Sequence, residues 1–163
     1  MGKIKEGFQV VKNILDESSN VPNMYNMGML YYSSFLFLIP LLYCIINKLY
    51  LNSILIFYLF VTSITFWGDY NNNFKLSCDH FLIGVIGISF YVSCYKVKSY
   101  MLAFNFTILL GILYVCSAYF KIKENYLNSS NIWIGAHMLV SITLLLISNK
   151  LVLHKNKTEK INN

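Results

Sequence analysis

Asp79 and His80 stand side by side in "SCDHFLIG", just inside a long apolar segment, and His137 stands in "NIWIGAHMLVS" inside another. Ionisable side chains within apolar runs are costly unless they face a bundle interior or water and find partners, so chemistry or polar packing is concentrated at these three. Ser63 and Asp69 lie at the end of the preceding apolar segment, in "SITFWGD". Three chemistries fit. Two histidines and an aspartate could give a zinc ion three ligands and leave an open position for water, the form of a hydrolytic site. Ser63 and Asp79 are then the catalytic groups, and His80 and His137 the metal ligands. An aspartate beside an imidazole could instead pass protons along a transport path. His137 bonded to Asp79 or Ser63 could also simply join three helices. No HxxxH or HExxH spacing is present, so the structural reading is favoured over zinc, and zinc over a relay. No cofactor is expected on that reading, with zinc as the alternative.

The same residues resemble motifs of the CREST superfamily of membrane hydrolases and receptors, which includes alkaline ceramidases and the progestin and adiponectin receptors. That family places a serine four residues before a histidine at the end of one span, an aspartate at the start of the next, and an HxxxH pair in the last. "SITFWGD" is similar to the first element, with Ser63 in the serine's place and Trp67 where the histidine stands. "CDHFLIG" is similar to the second, with Asp79 in the aspartate's place. "WIGAHMLVS" is similar to the third, with His137 as one histidine and Trp133 or Ser141 in its partner's position. The resemblance implies a metal-dependent amide or ester hydrolase acting on lipids, its zinc held by histidines. The departures imply a chain that either lost the metal or never belonged to the family, and His80 could substitute as a ligand.

Helices must position these groups. The sequence is 56% hydrophobic, 17% aromatic and only 12% charged, against roughly 25% charged in an average soluble domain. Apolar runs of about 18 or more residues can cross about 30 Å of hydrocarbon as helices, which satisfy their own backbone hydrogen bonds. Five such runs are read, at 27–46, 51–67, 76–95, 100–120 and 132–153. Tyr and Trp at their ends fit aromatic belts at the headgroup level. Ahead of them, over 1–26, Ile4, Phe8, Val11 and Leu15 share helical spacing and predict an interfacial amphipathic helix. After them, 154–163 is a polar, lysine-rich tail expected to be disordered. The predicted fold class is all-α: a polytopic transmembrane helical bundle of about five spans. In the third run His80, Gly84 and Gly87 share a face, and the glycines are expected to admit a close neighbouring helix. Alternating spans bring Ser63, Asp69, Asp79, His80 and His137 to one membrane face, where they are expected to form a single polar layer.

All 13 basic residues are Lys, confined to short loops and tails, and the formal net charge is +6. No basic patch with interleaved aromatics exists outside the apolar runs, so the charge is assigned to topology and anionic headgroups, not nucleic acid. Lys48, Lys96, Lys98, Lys150, Lys155, Lys157 and Lys160 outnumber Lys12, Lys75, Lys121 and Lys123 on the opposite side. This predicts a cytoplasmic C-terminus and puts Asn128, in the sequon "NSS", on the other side. Cys44, Cys78, Cys94 and Cys116 form no CxxC motif and are expected to be free thiols. The functional expectation is a non-enzymatic multi-pass membrane protein: a scaffold, an assembly partner or a degenerate relative of a lipid-modifying enzyme. Its expected contacts are the lipid bilayer and a membrane-protein partner or second copy. The alternative is a divergent metal-dependent lipid hydrolase of CREST type.

Overall fold

The computed structural model describes residues 27–68 and 73–162. Its elements are α1 (Met27–Ser33), a 3-10 turn (Ser34–Phe37), α2 (Leu38–Ile46), α3 (Tyr50–Gly68), α4 (Asn73–Lys96), α5 (Tyr100–Ile122) and α6 (Tyr126–Asn162), with no strand among the described residues. Five helical segments are long and apolar enough to cross a membrane, the first made of α1, the 3-10 turn and α2 together. They fall close to the five runs read from the sequence. The 1–26 segment and Asp69 lie outside the described residues. The lysine-rich tail departs from expectation, because α6 continues as helix through it to Asn162. The physical reason is local: the tail holds neither Gly nor Pro, Lys155 pairs with Glu159 at i,i+4 (4.0 Å), and Thr158 donates back to the His154 carbonyl (2.9 Å).

Pro40 shapes the first span. A proline has no N–H and its ring crowds the carbonyl four residues back, so the Leu36 carbonyl loses its helical donor. The backbone tightens there into the 3-10 turn Ser34–Phe37. Ser141 on α6 donates its hydroxyl to Leu36 O at 2.7 Å, supplying the missing partner from a neighbouring helix.

Three interhelical turns repeat one geometry. Lys48, Lys98 and Glu124 sit at φ 57°, 53° and 55°. The N–H of each following residue, Leu49, Ser99 and Asn125, bonds back to Cys44 O, Cys94 O and Phe120 O. This is the Schellman closure, with a non-glycine residue in the left-handed position. The next helix starts directly after each turn, at Tyr50, Tyr100 and Tyr126, so α2 with α3 and α5 with α6 are held as tight antiparallel pairs, while α4 and α5 meet mainly near their turn.

Small polar groups join the helices. Ser34 Oγ lies 2.8 Å from Ser63 Oγ, Ser117 Oγ 2.8 Å from Ser129 Oγ, and Cys44 Sγ 3.1 Å from Ser148 Oγ. All four cysteines are free. Apolar packing fills the space between, as where Phe37, Leu41, Ile56, Leu59 and Leu144 form one buried cluster. The expected close approach at the glycines of α4 is absent: a Cβ placed on Gly84 or Gly87 would meet nothing within 4 Å. Helix α5 lies at the periphery, with 11% of its spanning window buried against 39% for the first and last spans. Ser130, the third residue of the Asn128 sequon, is buried and donates to the Tyr126 carbonyl (2.8 Å) within the first turn of α6.

Candidate functional site

His137, in the first third of α6, is 9% exposed. Its Nδ1 lies 2.7 Å from Ser33 Oγ at the end of α1, and the same hydroxyl reaches Leu30 O at 2.8 Å. A serine has one proton. Donated to Leu30 O, it leaves Oγ to accept from Nδ1–H, and Nε2 then keeps its lone pair. The imidazole packs against Phe37 and Trp67, with ring centroids at 5.3 Å and 6.2 Å. Trp67, where the CREST pattern has a histidine, therefore makes an aromatic wall beside His137.

Ser63 on α3 is buried and bonded to Ser34, which also reaches Leu30 O (3.2 Å). Among the described residues its hydroxyl is bonded to Ser34 and to no acid or imidazole. Asp79 on α4 is 6% exposed. The Thr62 hydroxyl neighbours its carboxyl, yet Asp79 Oδ1 has no hydrogen-bond partner. It stands out among the described residues as a buried side-chain oxygen left unpaired. His80, on the face with Gly84 and Gly87 that was expected to admit a neighbouring helix, is exposed, while Asp79 is buried.

Ser63, Asp79, His80 and His137 all line one cavity of about 450 Å³ between α3, α4, α5 and α6. The described members of the expected polar layer thus lie at one end of a cavity, with Ser63 bonded to Ser34 and His137 to Ser33 and not to one another. Trp67 and Trp133 border the same end. Beyond it the walls are apolar: Ile83 and Ile86 of α4, Leu110 and Leu113 of α5, Val140 and Leu144 of α6. Asp79 and Tyr91 both line the cavity, and the helix rise between them is about 18 Å, so the space is elongated along the helices.

The cavity is open on one side. Its α3 and α6 linings are largely buried, whereas Ile83 and Tyr91 of α4 and Tyr114 of α5 are about half exposed. Helices α4 and α5 pack together near their turn, through the Phe90 and Phe106 rings (4.9 Å) and a hydroxyl bond between Tyr91 and Thr107, and touch little beyond it.

Among the described residues no three His, Cys, Asp or Glu side chains converge to hold a metal ion, and the Nδ1 of His137 is occupied by Ser33. The sequence reading missed Ser33 and Ser34. A signal for them exists in the spacing of Leu30, Ser34, Phe37, Leu41 and Cys44, a heptad-like stripe that is buried throughout. The comparisons add no relative: no family model, no curated protein and no solved structure matches this chain.

Proposed function

We propose that the chain is a non-enzymatic multi-pass membrane protein that takes the apolar chain of a membrane amphiphile into its helical bundle, with its C-terminus on the cytoplasmic side. The observation that carries this reading is the elongated cavity, apolar along most of its length, polar at one end, and open between α4 and α5 where a bilayer would lie. Its volume of about 450 Å³ falls in the range of about 300–1,000 Å³ usual for small-ligand sites. Side chains that could have been catalytic are spent on packing: Ser63 on Ser34, and the Nδ1 of His137 on Ser33. The orientation rests on the lysines of the Lys48 and Lys98 turns and of the α6 extension, which share one end of the bundle.

The test is native mass spectrometry of full-length protein released from mild detergent. Wild type is expected to retain one lipid per chain, and Gly87→Phe, which places a ring in the open space at the cavity wall, to lose most of it. Equal retention by both proteins would overturn the reading.

A further inference from the structure

We infer that Asp79 is the acceptor for the polar end of the cavity's ligand, and that the ligand is a single-chain amphiphile whose head donates a hydrogen bond, a long-chain amine or alcohol and not an acid. This rests on the amphiphile-binding reading and adds the head chemistry to it.

Two observations point the same way. Asp79 is 6% exposed, lines the cavity and keeps Oδ1 unpaired. A buried acceptor without a donor is costly to leave unmade, and the cavity is where a donor could arrive. His137 lines the same cavity, its Nδ1 is taken by Ser33, and its Nε2 keeps a lone pair that makes it a second acceptor. A head carrying donors satisfies both, whereas a carboxylate would set like-charged oxygens together. Lys121, which also lines the cavity, already has a partner. Asp79 lies toward the α4 N-terminal end of the elongated cavity, with the apolar walls running away from it. A head bonded there leaves one chain to follow the slot toward Tyr91.

The chain's two tryptophans, Trp67 and Trp133, both line the cavity and report its occupancy. Full-length protein in detergent would be titrated with an amine, an alcohol and a carboxylic acid that share one brominated dodecyl chain, and quenching of the tryptophans followed. Wild type is expected to be quenched saturably by the amine and the alcohol, at concentrations at least tenfold lower than by the acid. Asp79→Leu should weaken amine and alcohol about tenfold or more while leaving the acid unchanged or tighter. Asp79→Asn, which keeps the shape and removes the charge, should weaken the amine more than the alcohol, and so separates ionic from neutral recognition. Gly87→Phe should weaken all three. Equal quenching by the three heads in wild type, or an order unchanged in both Asp79 variants, overturns the head assignment while Gly87→Phe still upholds the cavity. Quenching that neither saturates nor responds to Gly87→Phe removes the cavity reading, and this inference with it.

Discussion

Ser33 determines what His137, a residue of the cavity wall, can offer, since its hydroxyl holds Nδ1 at 2.7 Å and leaves the lone pair on the other ring nitrogen. Interhelical hydrogen bonds of this kind in membranes contribute about 0.6–1.7 kcal/mol. A double-mutant cycle of Ser33→Ala and His137→Ala, read by thermal unfolding in detergent, should therefore return a coupling of about 1 kcal/mol. A coupling near zero would mean that the pair is a close approach without a bond. Asp79 has the opposite energetics. An unpaired buried oxygen costs about 1–3 kcal/mol, so Asp79→Leu is expected to raise the unfolding midpoint of ligand-free protein, an outcome usual where a residue is kept for binding at the expense of stability. A lowered midpoint would show that Asp79 is a structural group.

The elements show how local chemistry propagates. Pro40 removes one backbone donor, the 3-10 turn Ser34–Phe37 follows, and the bared Leu36 carbonyl is met by Ser141 from α6. Ser141→Ala should cost about 1 kcal/mol of stability. In a Pro40→Ala background, where residue 40 again has an N–H to give Leu36, the same change should cost close to nothing. Equal costs in the two backgrounds would break the account. Much of this level was readable in advance. The five apolar runs, their short turns and the polar stripe of Trp133, His137 and Ser141 follow from residue spacing, which fixes what shares a helix face. The glycines of α4 were readable as small but not as uncovered, because what faces Gly84 and Gly87 depends on where α5 docks. The tail was readable as polar, but its continuation as helix depended on a start made upstream in α6, since extending a helix costs far less than nucleating one.

For the whole molecule, the decisive feature is the loose pairing of α4 with α5. Each is joined to a tightly packed neighbour, α4 to α3 and α5 to α6, and the gap between the two pairs becomes the cavity and its lateral opening. The amino-acid sequence alone determined that this chain forms helices long and apolar enough to cross a membrane, with Ser63, Asp79, His80 and His137 near one face. Composition and the alternation of spans are sufficient for that. Which of those groups bond, and to what, was decided only by tertiary structure: Ser33 and Ser34 lie far from His137 and Ser63 in the chain and meet them through packing. That these four groups line one cavity was decided there too, because convergence of side chains in space is a condition that spacing along separate helices does not encode.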